Sequence, residues 1–503
     1  MLAHVAHPAF LVAVAALTVG YVAAQIAYRR FFHPLAKTPG PFLPAVTTLY
    51  QSYYNSRYYL EIERLHKKYG PIVRIQPNEI HLSDQQHFET IYHVGSKYTK
   101  SPVYYGALCI PNATHTTASN EIHKRKRARL NPMFSRKMVL ELEDVVHSKA
   151  NKVIALTRAS IAAKQPVDLH HAFRCVSVDV ITEYAFDKSY DLLDSPDLGA
   201  HFFRMVRGLG PAMYFFQQFP LMRDVTLKIP PSAAYYMGGA MRQVTTLQME
   251  AVKQLSDVKA RMNAGKLGTT RPTIFSELLD PEKQDGWPAP PAHELKDEVY
   301  SILAAAADTT GNAMTVACYK VIGNQEIYSA LRKELHAAFP GPDAKLNFAT
   351  LERLPYLTGV VKESLRLSFG VPGRLPRVVP QPGATFNGHF LPAGTIVSMS
   401  SWIMQRNEEI FPDAMKFDPT RWLDPVAYRR LDNHMMPFGG GSRVCVGMPL
   451  AYAELYITLG TFFHRFGNLK VHETTDEDMV FEDFFSSYQI EGKKWFKAVA
   501  AET

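Results

Sequence analysis

The sequence predicts a mainly α fold with small β-sheets, preceded by one N-terminal transmembrane helix. Hydrophobic side chains make up 47% of the 503 residues, which is enough apolar material for a large core. Long runs such as 138–163 and 241–263 repeat their apolar side chains with the helical period, whereas β-like runs such as 72–75 and 395–399 are short. The segment 8–27 contains no charged side chain. Together these observations favour one helical body with a membrane anchor.

The uncharged segment lies at the start of the chain. As a helix, residues 8–27 would reach about 30 Å, the thickness of a bilayer core. Arg29 and Arg30 follow it, and no Lys or Arg precedes it, so the positive-inside rule places the rest of the chain in the cytoplasm. A cleaved signal peptide is the alternative, although such peptides have a basic start and a shorter apolar stretch. We therefore expect a membrane anchor over residues 1–30.

Prolines separate the anchor from the body. Residues 31–54 form a proline-rich lead-in, in which 33–34 and 39–44 predict a stiff, non-helical stretch, because proline lacks the backbone N–H and restricts its neighbour. Later proline clusters occur without a shift in composition. Residues 55–503 are therefore predicted to form a single domain.

Composition and cysteine spacing exclude several classes of protein. Four cysteines without a CxxC pair argue against a disulfide scaffold and a zinc site, and Cys109, Cys175 and Cys318 are interpreted as small packing residues. The net charge of +8 favours acidic partners or anionic surfaces. The basic run 123–129 would suit nucleic acid, but a membrane-anchored protein has no such partner, so we expect none.

Cys445 differs from the other cysteines. The stretch 438–447 joins a glycine-rich turn, this cysteine and the start of a helical run, and a thiol before a helix is expected to have a lowered pKa. Gly441 and Gly447 would let the backbone turn tightly against a flat ligand, and Arg443 suits an anionic group. The residues alone leave three interpretations open: a metal ligand, a nucleophilic cysteine, or an incidental cysteine in a loop.

The same stretch carries a family resemblance. The pattern F-x-x-G-x-R-x-C-x-G is complete from Phe438 to Gly447 and resembles the haem-binding signature of the cytochrome P450 superfamily. The resemblance implies the cytochrome P450 fold and a bound haem b, with Cys445 as the axial thiolate ligand of iron. It also implies that Arg443 pairs with a haem propionate and that Phe438 and the glycines shape the ligand loop. A thiolate ligand favours O–O cleavage and so implies oxygen activation.

A second motif resembles the structural triad of that family. Glu363 and Arg366 lie three residues apart on the helical run 354–367, where they share a face. Alone, this spacing is equally typical of a solvated helix pair. The family combines it with a later F-x-P-x-R-[FW] motif, which the chain has from Phe417 with Arg421 as its arginine. The resemblance implies that these three residues hold the haem side together.

A third motif lies in a predicted helix from about residue 292 to 322. Its stretch 303–311 is rich in alanine and contains Asp308 and Thr309, which alone would suit a core helix or a helix break. It resembles the family's [AG]-G-x-[DE]-T stretch, whose acid and threonine guide protons during oxygen activation. Ala306 replaces the second glycine of that pattern.

Further basic residues match propionate-binding positions of the family. His123 and Arg127 correspond to its W-x-x-x-R motif, with histidine in place of tryptophan, and an imidazole can still donate a hydrogen bond. Arg377 is the better match to the arginine of the strand that passes the haem edge, and Arg374 is the alternative. The neighbouring Lys124, Arg125 and Arg129 would form a cationic docking surface for an acidic electron donor.

The resemblance implies a monooxygenase that receives electrons from NADPH through a separate flavoprotein reductase and hydroxylates or epoxidises a lipophilic substrate. Segments 28–35 and 369–377 are similar to fungal members, including the trichodiene-oxygenase-like group, so we expect a terpenoid or related secondary metabolite. The expected location is the endoplasmic reticulum membrane, with one span in contact with membrane lipid and the body in the cytoplasm. The alternatives are a haem-thiolate isomerase or dehydratase that does not use dioxygen, and a non-catalytic haem-binding protein.

Overall fold

The computed structural model describes residues 8–266, 271–283 and 288–501. Helices take up 59% of the chain, which confirms the predicted mainly α fold. The α-helices of the N-terminal half are α1 Pro8–Ala27, α2 Phe42–Val46, α3 Leu49–Tyr54, α4 Tyr58–Tyr69, α5 His87–Tyr92, α6 Pro102–Gly106, α7 Asn120–Leu130, α8 Arg136–Glu141, α9 Glu143–Ala162, α10 Leu169–Phe186, α11 Ala200–Arg207, α12 Leu209–Gln218, α13 Pro220–Thr226 and α14 Pro231–Tyr236. Those of the C-terminal half are α15 Gly239–Asn263, α16 Ile274–Leu279, α17 Ala292–Ile322, α18 Gln325–Ala338, α19 Phe348–Leu351, α20 Pro355–Ser368, α21 Ser401–Met404, α22 Pro425–Asp432 and α23 Met448–Arg465.

The strands are short and form small sheets, as predicted. They are β1 Ile72–Gln76, β2 Glu79–Leu82, β3 Thr99–Lys100, β4 Val167–Asp168, β5 Arg377–Val378, β6 Ala384–Phe386, β7 His389–Leu391, β8 Ile396–Ser398, β9 Leu469–His472, β10 Phe481–Phe484, β11 Ser486–Gln489 and β12 Lys497–Ala500. The largest sheet has the order β1-β2-β8-β5-β3, and a three-stranded sheet has the order β4-β12-β9. β6-β7 and β10-β11 are separate antiparallel hairpins.

The N-terminal helix stands apart from the body. Residues Ala9–Phe32 have a mean hydropathy of 2.0 and none of this span is buried, so in the described ranges this is the one helix long and apolar enough to cross a membrane. Its C-terminal end is attached to the body, because Arg29 donates to the carbonyl oxygen of Val46 at 2.6 Å and Arg74 donates to that of Arg29 at 3.0 Å.

The lead-in differs from the predicted non-helical stretch. α2 and α3 are short helices within it. Pro44 lies in the first turn of α2, where a backbone N–H has no partner within the helix, so its missing donor costs nothing there. Pro41 precedes the helix in an extended conformation.

The helices that carry the candidate site meet in the main hydrophobic core. α10, α17, α20 and α23 contribute most of its fully buried apolar side chains. α17 has the predicted bounds, and α23 begins at Met448, directly after the Cys445 loop. β3 and β5 bring Lys100 opposite Arg377 at the edge of the largest sheet.

A buried carboxyl on α23 predicts a pH-dependent stability. Glu454 is 3% exposed, and Ser177 donates a hydrogen bond to it at 2.8 Å. Burial raises the pKa of Glu454 to about 8, and the bond from Ser177 only partly opposes this rise. Between pH 4.5 and 8 the folded chain therefore binds more protons than the unfolded chain, so stability falls as the pH rises.

We expect Glu454→Gln to remove this pH dependence. In the unmodified chain the free energy of unfolding should fall by about 4 kcal/mol between pH 5 and 8, because the pKa of this carboxyl is strongly raised. Urea unfolding at the two pH values measures it. Glu477→Gln is the control, since Glu477 lies exposed in a loop and should leave the slope unchanged. A Glu454→Gln protein with the slope of the unmodified chain would contradict the prediction.

Candidate functional site

The Cys445 loop is closed by its own backbone. The N–H of Cys445 donates to the carbonyl oxygen of Phe438 at 2.9 Å, and Gly447 is the N-cap residue of α23. The backbone N–H groups of Gly447 and Met448 point at the sulfur. Sγ therefore lies at the positive end of an 18-residue helix, as the sequence predicts.

The thiol pKa differs from the expectation of a lowered value. Desolvation by the surrounding protein raises the pKa of Cys445, although the residue itself is exposed. The N–H of Gly447, the charge of Arg127, the N–H of Met448 and the charge of Lys100 only partly oppose this rise. A thiol in this environment becomes a thiolate when a cation binds to it, because a bound metal deprotonates its sulfur ligand. The loop therefore suits a metal ligand better than a free nucleophile.

Gly441 allows the loop to pass close to α5. Its φ is 60°, and a Cβ atom there would lie 1.9 Å from the carbonyl oxygen of Tyr92. Gly439 also has a positive φ, of 70°, but a Cβ atom there would meet only ordinary contacts, the nearest at 3.9 Å. Both glycines have a positive φ, which glycine adopts without strain. Only at Gly441 would a side chain also collide with neighbouring backbone.

We expect Gly441→Ala to prevent the Cys445 loop from packing in its native position against α5, because the methyl group collides with backbone that cannot move aside. Gly439→Ala should cost only about 1–2 kcal/mol, since it introduces the strain of a positive φ without the collision. Thermal unfolding, together with the amount of haem retained after purification, measures both. Equal losses for the two variants would show that the close approach to Tyr92 is unimportant.

Four cationic side chains surround the Cys445 loop. Lys100, Arg127, Arg377 and Arg443 influence one another electrostatically. Among the described residues, none of them forms an ion pair with a carboxylate. Burial, followed by the charges of the three arginines, lowers the pKa of Lys100 well below its ordinary value. Buried cations are normally paired, so this arrangement is suited to an anionic ligand.

Arg443 and Arg127 also hold the loop in place. Arg443 donates to the carbonyl oxygens of Thr117 and Ala118 at 2.7 and 2.9 Å, in the segment before α7. Arg127 on α7 donates to the carbonyl oxygen of Val444 at 2.6 Å. The loop is therefore tied to α7 and to the segment that precedes it.

Arg377 and Arg374 have different surroundings. Arg377 donates to the hydroxyl of Tyr105 at 2.9 Å and lies within the cationic group. Arg374 forms an ion pair with Glu79 at 2.8 Å and donates to Gln51 at 2.9 Å. Of the two candidates named from the sequence, only Arg377 lacks a carboxylate partner in the part of the chain that the structure describes.

Lys100 and His115 belong to the site but were missed by the sequence reasoning. Lys100 donates to the carbonyl oxygen of His115, and both residues are close to Arg377 and Arg443. A lysine in a two-residue strand carries no motif, so only its pairing with Arg377 places it there. His123 is also buried, and burial, with the charge of Arg443 next, lowers its pKa to about 3, so it is neutral at pH 7.

The three residues of the predicted triad lie close together, and a fourth residue contacts Glu363. Arg366 and Glu363 are fully buried and make a bidentate pair, with N–O distances of 2.8 and 2.7 Å. Arg421 lies 3.8 Å from Glu363, beyond hydrogen-bond distance. The indole N–H of Trp422 donates to Glu363 at 3.0 Å instead, a contact that the arginine motif does not indicate.

The neighbouring residues Asp308 and Thr309 of α17 have separate partners. Oδ1 of Asp308 accepts hydrogen bonds from Arg174 at 2.9 Å and from Arg207 at 2.6 Å, and Oδ2 accepts a second bond from Arg207 at 3.2 Å. Burial raises the pKa of Asp308, but the two arginines outweigh it and hold the pKa below its ordinary value. The Thr309 hydroxyl donates to the carbonyl oxygen of Ala305 at 2.9 Å, and α17 remains helical throughout.

The residues around Cys445 fit a haem. Sγ is available at a helix N-terminus, and the three arginines, which have no carboxylate partner among the described residues, would offset the negative charge of two propionates and a thiolate. Ala305 is exposed although α17 runs through the core, and Ala304, Ala306 and Thr309 beside it are half-buried, so this face of α17 carries small side chains that no other element covers fully. A flat ligand needs such a wall of small side chains.

The model of the cytochrome P450 family matches residues 38–493, most of the chain. The chain belongs to the cytochrome P450 family. This membership confirms the predicted fold and implies a haem-iron cofactor.

Fungal members of the P450 family are similar to the chain over most of its length. Cytochrome P450 monooxygenase MO6277 of Ascocoryne sarcoides is 34% identical over 91% of each chain. Conidiogenone synthase PchP450 of Penicillium rubens is 34% identical over 92% of each chain. Cytochrome P450 monooxygenase TRI4 of Trichoderma arundinaceum is 32% identical over 92% of this chain and 90% of its own. These relatives confirm the enzyme class, a P450 monooxygenase, and the likeness to the trichodiene-oxygenase-like group.

Proposed function

We propose that the chain is a membrane-anchored monooxygenase of fungal secondary metabolism that hydroxylates or epoxidises a terpenoid or related lipophilic compound. Residues 1–30 are the anchor, 31–54 the lead-in and 55–503 the catalytic domain. The observation that supports the proposal most directly is the position of Cys445, at a helix N-terminus beside four cations without a carboxylate partner among the described residues. The names of the fungal relatives support a role in fungal secondary metabolism.

The geometry of the site supports the haem-binding roles that we propose. Cys445 is proposed as the iron ligand, and haem b would supply oxygen activation when bound. Arg127, Arg377 and Arg443 are proposed to bind the propionates, since their charges have no carboxylate partner in the described ranges. Neutral His123 would donate one hydrogen bond there. Phe438, Gly441 and Gly447 shape the ligand loop, and the Glu363, Arg366 and Arg421 triad holds the segments behind it.

Thr309 and Asp308, which are neighbours on α17, are proposed to supply protons to the reacting group. The Thr309 hydroxyl can exchange its bond to the Ala305 carbonyl for one to a reacting group, because a hydroxyl rotates freely. Asp308 is held ionised by Arg174 and Arg207, so it would act through water rather than by direct contact. The pairing with both arginines leaves no unpaired charge at this buried carboxylate of α17.

The surface of α7 supports a proposal for the electron donor. Lys124 and Arg125 are exposed on this helix, whereas Arg129 is half-buried and lies 3.8 Å from Glu294. We infer that the exposed pair, on the helix that also carries Arg127, attracts an acidic flavoprotein reductase that draws electrons from NADPH. We propose that the anchor holds this surface at the cytoplasmic side of the endoplasmic reticulum membrane.

The decisive experiment is turnover with a reconstituted reductase. The full-length chain, reductase and NADPH are incubated in lipid with candidate terpenoids under ¹⁸O₂, and the products are analysed by mass spectrometry. One ¹⁸O atom per product molecule is expected. Equal turnover without dioxygen would favour the isomerase or dehydratase alternative, and a haem protein without any turnover would favour the non-catalytic one.

We expect Thr309→Val to lower the rate of product formation about 100-fold, the lower range for loss of a positioned proton donor. Its substrate-induced spectral change should remain, because the side chain keeps its volume. Thr310→Val is the matched control, since the next residue on a helix points about 100° away. A Thr309→Val enzyme with full turnover would show that the hydroxyl does not supply protons.

A further inference from the structure

Two carboxylates near the start of α17 are buried. Asp297 and Glu298 lie in the second turn of this helix, and they are 3% and 7% exposed. A buried carboxylate is costly unless hydrogen bonds satisfy its oxygens, so the donors to these two residues indicate what they hold. In both cases the donors lie in residues 107–119, the segment that connects α6 to α7.

Each carboxylate uses one oxygen to hold one residue of that segment. Oε2 of Glu298 accepts the backbone N–H of Thr114 at 2.8 Å and the Thr114 hydroxyl at 2.9 Å. Oδ2 of Asp297 accepts the backbone N–H of Asn112 at 3.0 Å and its side-chain amide at 2.9 Å. Lys126 on α7 also donates to the carbonyl oxygen of Asn112. The segment is therefore tied to both α17 and α7.

The bonds to Glu298 need an acceptor rather than a negative charge. Burial raises the pKa of Glu298, the N–H and hydroxyl of Thr114 and the charge of Lys126 oppose the rise, and Glu294 adds to it. Both bonds reach the same oxygen, and an amide oxygen can also accept two hydrogen bonds. A glutamine should therefore replace Glu298 without the loss of either bond.

The tied residue Thr114 belongs to a compact turn. The backbone N–H of Thr117 donates to the carbonyl oxygen of Ala113 at 3.2 Å, and the Thr117 hydroxyl donates to the same oxygen at 2.8 Å. The hydroxyl of Thr116 also donates to it, at 3.2 Å. Residues 113–117 are thus bonded to one another, so a shift of Thr114 moves the residues that follow it.

The same turn supplies carbonyl oxygens to two side chains of the cationic group. Lys100 donates to the carbonyl oxygen of His115. Arg443 donates to those of Thr117 and Ala118 at 2.7 and 2.9 Å. All three oxygens follow directly after the residue that α17 holds. The bonds to α17 therefore determine where Lys100 and Arg443 find their acceptors.

We propose that Glu298 is a positioning residue for the haem-propionate site, because it holds the turn whose carbonyl oxygens keep Lys100 and Arg443 beside the propionates. Asp297 supports the same segment. The inference rests on the proposed function, since the propionates are taken to bind the cationic group. Glu298 acts through Thr114 rather than by contact with haem, so the loss of its acceptor oxygen should speed haem release.

The test measures how fast the full-length haem protein loses its haem. The chain is held in lipid with an excess of apomyoglobin, and haem transfer is followed by absorbance. Glu298→Ala should release haem about tenfold faster, because two bonds to Thr114 are lost together. Glu298→Gln should keep the original rate, since its amide oxygen accepts both bonds. The original rate in Glu298→Ala would overturn the inference, and so would equal acceleration by the two variants.

A milder variant covers the case in which Glu298→Ala takes up no haem. Thr114→Val keeps the backbone N–H and loses only the hydroxyl bond to Glu298, so its haem release should be about threefold faster. Release at the rate of the unmodified chain would then overturn the inference.

Asp179→Ala is the matched control. Asp179 is fully buried on α10 and accepts the backbone N–H groups of Leu192 and Leu193 at 2.8 and 3.0 Å, so it ties a different loop by the same chemistry. Its replacement should lower the free energy of unfolding as Glu298→Ala does and leave haem release unchanged. Equal acceleration of haem release by the two variants would indicate general loosening and overturn the positioning role.

The dimethyl ester of haem b separates the inference from the proposed function. Its esterified propionates carry no charge, so the unmodified chain reconstituted with it should release it faster than haem b. Glu298→Ala should speed release of the ester no further, because the turn acts through the propionates. Equal release of both haems by the unmodified chain would refute the propionate site of the proposed function. Acceleration of ester release by Glu298→Ala, as large as with haem b, would overturn the inference instead.

Discussion

Replacement of Cys445 by serine is expected to abolish the haem-thiolate spectrum and the oxygenase activity. A serine hydroxyl does not ionise at neutral pH and offers a hard oxygen in place of a soft sulfur, so iron loses its axial thiolate. Changes in residues that only orient a metal ligand lower metal affinity or activity about 10- to 100-fold. Loss of the ligand itself should lower both by more than that. The reduced carbon monoxide difference spectrum and NADPH-dependent product formation are the two measurements.

Cys318→Ala is the matched control for Cys445→Ser. Cys318 is fully buried on α17 and contacts only the hydrophobic core, so its replacement should lower stability slightly and leave the spectrum unchanged. The same spectral loss in both variants would point to general unfolding. A Cys445→Ser protein with an intact thiolate spectrum would disprove the assignment of the ligand.

The second large effect is expected at the buried ion pair of α20. Arg366→Ala leaves Glu363 without its bidentate partner in a place where both residues are 0% exposed. Removal of one partner from such a pair typically costs about 3–5 kcal/mol, because the remaining charge is uncompensated. Arg366 also donates to the carbonyl oxygens of Gln405 and Lys416 at 3.0 Å each, so three segments would loosen together. Urea unfolding, followed by tryptophan fluorescence, measures the loss.

Arg136 offers a comparison with the same chemistry at the surface. It makes a bidentate pair with Glu352, but its side chain is 58% exposed. Arg136→Ala should therefore cost about 0–1 kcal/mol, since water screens the pair and replaces it. Similar losses for Arg366→Ala and Arg136→Ala would show that the ExxR pair has no special structural importance.

The sequence was most informative where one continuous motif carries the chemistry. The stretch from Phe438 to Gly447 predicted a thiol at the start of a helix, and α23 begins at Met448. The pKa of that thiol was predicted with the wrong direction, because the effect of the helix is visible in the sequence and the larger effect of burial is not. The positive φ of Gly441 followed from its type, whereas the contact with Tyr92 needed the fold.

Other parts of the site depend on residues that are distant in the chain. Asp308 follows from its motif, but its two partners, Arg174 and Arg207, lie more than 100 residues away on α10 and α11. Lys100 carries no motif, and it joins the cationic group only because β3 pairs with β5. Trp422 occupies the place beside Glu363 that the motif assigns to Arg421.

The sequence alone determined the apolar N-terminal helix, the helical class, the family and the residue that matches the metal ligand of that family. Those properties depend on local composition, periodicity and a short motif, all of which are present before folding. The tertiary structure decided which arginines lack a carboxylate partner among the described residues and which carboxyl is held ionised. Those properties depend on burial and on contacts across hundreds of residues, and these arise only when the helices and sheets pack together.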